Sequence, residues 1–127
     1  MSPDVVSDVG GIGRTLGRTT IQETWDGTTS ITEVLIVDVG GSGTEEAFNE
    51  AINLLQRRQW VIGDQQAPEW AQMESTKWEN VRLSLYGMEF VESSGESEPR
   101  LGNMIKEARA QAGSRTLLAV YLNLTDE

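Results

Sequence analysis

The stretch from Ile31 to Trp60 limits what this chain can fold into more than any other. Val34, Leu35, Ile36 and Val37 follow one another without a polar residue, so an extended segment over Ile31–Val39 has no solvent face at its centre. It reads as a central strand covered on at least one side. Gly40-Gly41-Ser42-Gly43 then supplies a turn, and Thr44 to Gln59 reads as a helix. Phe48, Ala51, Ile52 and Leu55 recur at the three-and-four spacing of one helical face, with Glu45, Glu46, Asn49, Glu50 and Asn53 on the other. Ser42 with Glu45 three residues on fits a capping box, and Arg57-Arg58 suit the negative end of the helix dipole.

A glycine-rich strand-to-helix turn can wrap backbone N–H groups around a phosphate. Here the spacing departs from the dinucleotide fingerprint, the Gly-Lys-Ser/Thr ending of the P-loop is missing, and Glu45 and Glu46 put negative charge where an anion would sit. Val37-Asp38-Val39-Gly40-Gly41-Ser42-Gly43-Thr44 resembles the first phosphate loop of sugar kinases in the actin-like superfamily. The resemblance implies phosphate binding, but that superfamily needs two large lobes and further phosphate and adenosine segments, which 127 residues cannot hold. A tight turn with a helix cap is the expected role.

Around this unit the chain is punctuated clearly. Asp26-Gly27 is the signature of a tight hairpin between threonine-rich runs, Thr19–Trp25 and Thr28–Val39. Thr19, Thr20, Thr24, Thr28, Thr29 and Thr32 would form a solvated edge or a strand-pairing surface. Trp60-Val61-Ile62-Gly63 reads as a short strand and Asp64–Thr76 as a polar loop, with Ala67–Met73 as an alternative short helix opened by Pro68. From Trp78 to Glu92, Val81, Leu83 and Leu85 alternate with Arg82, Ser84 and Tyr86, and the phase changes at Gly87. Ser97 and Pro99 open a second helix with Leu101, Met104 or Ile105, Ala108 and Ala112 on its apolar face, stopped by Gly113. Thr116–Leu124 is a final strand with Leu118, Val120, Leu122 and Leu124 on one face.

The length fits one domain. Residues 1–17 are expected to be a flexible glycine-rich N-terminal arm, and residues 18–127 a single α+β domain. Its expected architecture is an antiparallel or mixed sheet of about five strands with two helices on one face, the split β-α-β arrangement of ferredoxin-like type coming first.

Composition removes more functions than it suggests. With no cysteine and no histidine, disulfides, thiol nucleophiles, Cys/His zinc sites and Ser-His-Asp triads are excluded together. Carboxylate, lysine or tyrosine chemistry and oxygen-ligated Mg²⁺ or Ca²⁺ survive, but no Asp-x-Asp-x-Asp-Gly loop nominates a metal site. No cofactor is expected. A formal charge of −10 repels nucleic-acid backbones and anionic membranes, so direct nucleic-acid and membrane binding are disfavoured. No signal-peptide or membrane-spanning pattern is present, and the cysteine-free composition fits the cytoplasm.

Acidity concentrates in the middle of the chain, where Asp64, Glu69, Glu74, Glu79, Glu89, Glu92, Glu96 and Glu98 face only Lys77 and Arg82. The leading expectation is a non-enzymatic acidic module that binds a protein with a basic surface, of inhibitor or immunity type. Trp70, Trp78, Glu89, Glu92, Glu96 and Glu98 are its candidate contacts. Those glutamates equally suit a solvated rim, and the tryptophans equally suit half-buried lids over a small core. The second expectation is an assembly subunit, a phage or bacterial particle component, that self-associates through its threonine-rich edge and an arm carrying Arg14 and Arg18.

Overall fold

The computed structural model describes residues 3–40, 43–66, 69–78, 81–87, 99–112 and 116–125. The order is helix α1 (Pro3–Gly10), strands β1 (Arg14–Trp25) and β2 (Thr28–Asp38), helix α2 (Thr44–Arg57), strands β3 (Trp60–Gln66), β4 (Trp70–Ser75) and β5 (Val81–Gly87), helix α3 (Pro99–Ala112) and strand β6 (Leu118–Thr125). The strands form one six-stranded sheet in the order β1-β2-β6-β5-β4-β3. Every neighbouring pair is antiparallel. The chain is therefore a small α+β fold.

Sequence chemistry accounts for the long hairpin at one side of the sheet. Asp26 and Gly27 take φ of 51° and 80°, the left-handed pair that a two-residue turn matched to strand twist requires. Trp25 then faces Thr28, and the register runs back to Arg14 opposite Asp38 with one irregularity between Thr15 and Gly17.

Val34, Leu35, Ile36 and Val37 are all buried, and alternate strand residues point to opposite faces, so both faces of β2 must be covered. Leu35 and Val37 join Leu118, Val120, Leu122, Leu83, Leu85 and Met73 beneath α1 and α2, which contribute Val5, Val9, Phe48, Ala51 and Leu55. Val34, Ile36 and Ala119 join Met104, Ile105 and Ala108 of α3 on the other face. The expectation of two helices on one face is corrected accordingly: α2 and α3 lie on opposite faces. The expected antiparallel sheet is present, with six strands in place of about five.

Close approach of α3 to β1 depends on Gly17. A Cβ there would lie 2.7 Å from Met104 Cγ. Gly17→Ala is expected to push Met104 out of place and to destabilise by about 1–3 kcal/mol, measurable by denaturant titration, as overpacking of a fitted contact does.

The glycine-rich segment expected as an arm instead supplies α1 and the start of β1, and Val5 and Val9 are fully buried. Glycine content had hidden the pair. Arg58 ties this helix down: its Nε donates to Asp8 O at 2.9 Å and its Nη2 to Gly11 O at 3.2 Å. Both carbonyls lie at the C-terminal end of α1 or just beyond it, where Asp8 O also accepts from the Gly11 N–H at 3.3 Å. Arg58 thus serves the C-terminal end of α1, although it sits at the C-terminus of α2. The expected Ser42 cap lies outside the described residues, and α2 starts from an extended Gly43 with no side-chain cap.

Candidate functional site

Among the described residues, one half of one sheet face is left open. On β4 and β5 the inward residues Ala71, Met73, Val81, Leu83 and Leu85 are buried, while Gln72, Glu74 and Arg82 are exposed. That alternation is the mark of a sheet packed on one side only. Helix α3 covers β1 and β2 on this face, and among the described residues no element covers β3, β4 and β5.

Three aromatic residues follow one another across neighbouring strands of this face. Trp70 stands opposite Tyr86 in the register, and Tyr86 opposite Ala119, one step along the same face from Tyr121. The rings of Tyr86 and Tyr121 pack edge to face with centroids 5.1 Å apart. All three are half-buried, with Tyr86 and Tyr121 resting on the apolar cluster under α3. Beside this row lies a groove of about 320 Å³ lined by Gly63, Gln72, Glu74, Arg82, Ser84 and Asn123, together with parts of Met73 and Leu83. Asn123 is set from behind, since its Nδ2 donates to Ser30 Oγ at 3.0 Å and Thr32 Oγ1 at 2.9 Å. Asp64, paired in register with Gln72, adds a carboxylate at the outer strand.

The ionisable groups with displaced titration are poorly suited to proton-transfer catalysis at neutral pH. Burial, and then the neighbouring Tyr86, push the Tyr121 hydroxyl up to about 12, so it is held neutral. Glu33, on the α1 side of β2, is pulled two ways. Burial raises its pKa, while hydrogen bonds from Arg18 and Thr20 and the Arg18 charge lower it, and the lowering wins. Glu33 is therefore a fixed carboxylate. A general acid or base works best with a pKa near the operating pH.

The two tryptophans named from sequence do not come together. Trp70 opens β4 on the uncovered face, whereas Trp78 follows the other end of β4 and packs against the core under α2. Its ring lies 6.4 Å from that of fully buried Trp60, tilted by 37°. Lys77 Nζ sits 5.5 Å from the Trp78 ring centroid, and Ser75 Oγ accepts from the backbone N–H of Lys77 and Trp78. Trp78 is a lid. Glu89, Glu92, Glu96 and Glu98 lie outside the described residues. Arg14 and Arg18 belong to β1, where Arg18 Nε donates to Glu33 Oε2 at 2.9 Å and Thr20 Oγ1 to Glu33 Oε1 at 2.7 Å.

Tyr86 and Tyr121 were missed in the sequence. The alternation of Val81, Leu83 and Leu85 already placed Tyr86 on the outer face. Tyr121 required the pairing of β5 with β6, which only the fold supplies. A hollow of about 620 Å³ lies on the outer flank of α2, lined by Gly43, Thr44, Glu45, Glu46, Asn49, Glu50 and Asn53. Three glutamates there oppose a phosphate. Among the described residues no group of three or more acidic side chains could share a metal ion, and no helix is long and apolar enough to cross a membrane.

Comparison of the chain with protein-family models, with curated proteins and with solved structures finds no match in any of the three.

Proposed function

We propose that this protein is a non-enzymatic binding module that receives a protein partner with a basic surface on the open half of its sheet. One observation carries the reading. Among the described residues, the uncovered half presents Trp70 and Tyr86 as register partners, with Tyr121 packed on Tyr86, beside exposed Asp64, Glu74 and Gln72. Half-buried aromatics with polar neighbours are the usual anchors of protein interfaces. A chain of formal charge −10 steers basic partners toward itself and repels acidic ones. An inhibitor of immunity type, seated in the basic cleft of an enzyme, fits this chemistry, and so does any other basic protein surface. The cytoplasm remains the proposed location.

Immobilised protein incubated with lysate of its native host tests the reading when three variants are compared. Trp70→Ala is expected to lose the captured basic protein, by about 2 kcal/mol or roughly thirty-fold in affinity, as interface anchors do. Glu74→Lys should slow association and weaken its dependence on salt, since exposed charges act mainly on encounter. Trp78→Phe, which keeps a ring over Trp60, should capture as the unaltered chain does. Equal capture by Trp70→Ala and the unaltered chain would remove the open face from the account.

A further inference from the structure

The two edges of the sheet are built differently, and the difference concerns self-association. Unpaired strand edges invite another strand, and natural sheets block them with bulges, charges or proline. The β3 edge is blocked in this way. Its register slips between Ile62 and Asp64, and Asp64 Oδ1 takes the backbone N–H of Gln65 at 2.9 Å. Among the described residues the β1 edge carries neither bulge nor proline from Gly17 to Trp25, and its charges there are Arg18 and Glu23 alone. Arg18 lies on this stretch, but its Nε is turned inward to Glu33.

The hairpin decides which groups face outward. A two-residue turn makes Trp25 and Thr28 a hydrogen-bonded pair, and such pairs alternate along an antiparallel ladder. Thr24, Gln22, Thr20 and Arg18 therefore aim their backbone N–H and C=O groups away from β2. Ile21 aims its own toward β2 and places its half-buried side chain against the cluster under α3.

We infer that β1 pairs antiparallel with β1 of a second copy, about a two-fold axis at Ile21, joining two sheets into one. In that register Ile21 meets Ile21 of the other copy, Thr20 meets Gln22 and Arg18 meets Thr24. The outward groups on both strands are then satisfied by about eight main-chain hydrogen bonds. No residue but Ile21 faces its own copy, so no like charges stand opposite one another. Charge permits a second copy at this place. The chain carries −10, yet β1 holds Arg14 and Arg18 against Glu23 alone, so this edge adds little to the repulsion between two copies even with Arg18 paired to Glu33. The pairing uses the edge of β1 and leaves the open face over β3, β4 and β5 free, and it stands or falls independently of the proposed partner.

Light scattering across a wide concentration range, combined with single cysteines in this cysteine-free chain, tests the pairing. The unaltered chain should reach twice the monomer mass. A non-hydrogen-bonded pair stands about 4.5 Å apart at Cα, within the span a disulfide accepts, so Ile21→Cys should oxidise to a covalent dimer. Thr19→Cys, which meets Glu23 and not itself, should cross-link much more slowly. Gln22→Pro removes an outward N–H without touching the β1–β2 ladder, and should give a monomer with unchanged circular dichroism. The inference is overturned if the unaltered chain stays monomeric throughout, which leaves the edge to a foreign strand. It is equally overturned if Thr19→Cys cross-links as fast as Ile21→Cys, or if Gln22→Pro keeps its fold and its dimer mass.

Discussion

A chain ending at Leu117 is expected to be unfolded at every temperature, with no cooperative transition by circular dichroism and no fixed tryptophan environment by fluorescence. Strand β6 is last in sequence but central in space, paired with β2 on one side and β5 on the other. Without it the sheet parts into the β1–β2 hairpin and the β3–β4–β5 meander. Leu118, Ala119, Val120 and Leu122 are fully buried, and the larger of these side chains are worth about 1.5–3 kcal/mol each when removed from water. Their sum, with two ladders of hydrogen bonds, rivals the whole stability of a domain this size, roughly 5–15 kcal/mol. The point version is Leu122→Ala, expected to cost about 2–5 kcal/mol in a denaturant titration. A truncated chain that still melts cooperatively would contradict the central place of β6.

The second large effect is at Arg18. Its side chain is 54% exposed, whereas that of its partner Glu33 is 8% exposed. Arg18→Ala therefore strips a buried carboxylate of a charged hydrogen bond. The expected loss at neutral pH is about 1–3 kcal/mol, toward the lower end because solvent screens the exposed guanidinium. The pH dependence has a definite sign. Glu33 is depressed in the folded state, so its contribution is present above the unfolded carboxyl pKa of about 4.3 and is lost as pH falls through the folded value. The unaltered protein should lose stability through that acid window, and Glu33→Gln should flatten this part of the profile. In Arg18→Ala the carboxyl rises instead, so its deficit should shrink as protonation relieves the unpaired charge. Unfolding free energies from pH 7 down to pH 3 decide it. A deficit independent of pH would mean that Arg18 acts through packing of its aliphatic stem.

Elements whose two faces differ in polarity were the legible ones. Phe48, Ala51, Ile52 and Leu55 announced α2, Met104, Ile105 and Ala108 announced α3, and Asp26-Gly27 announced the hairpin turn. Of the β3–β4 hairpin only the start of β3, Trp60–Gly63, was legible. Asp64, Gln65, Gln66, Gln72 and Glu74 are exposed, and β4 needs only Ala71 and Met73 to hold it to the core, so the stretch reads as a polar loop. Helix α1 escaped for a related reason. Its eight residues hold only Val5, Val6 and Val9 as apolar contacts, and β-branched valine is a weak helix former. Here tertiary packing and the Arg58 tether overrode local preference.

The candidate site followed the same division. Trp70 could be named from sequence because a tryptophan in polar surroundings stands out, but so could Trp78, and only the fold separates them. The run Val34–Val37 contained more than was drawn from it. Four consecutive buried residues demand cover on both faces, which agrees with α2 and α3 lying on opposite faces.

Hydroxyl-radical footprinting of the captured complex against the free protein tests the open-face account most directly, because tryptophan and tyrosine oxidise readily and report side-chain exposure ring by ring. The account predicts strong protection of Trp70 and Tyr86 and some of Tyr121, with Trp78 unchanged. Protection of Trp78 or of the outer flank of α2, with Trp70 and Tyr86 as reactive as in the free chain, would contradict it.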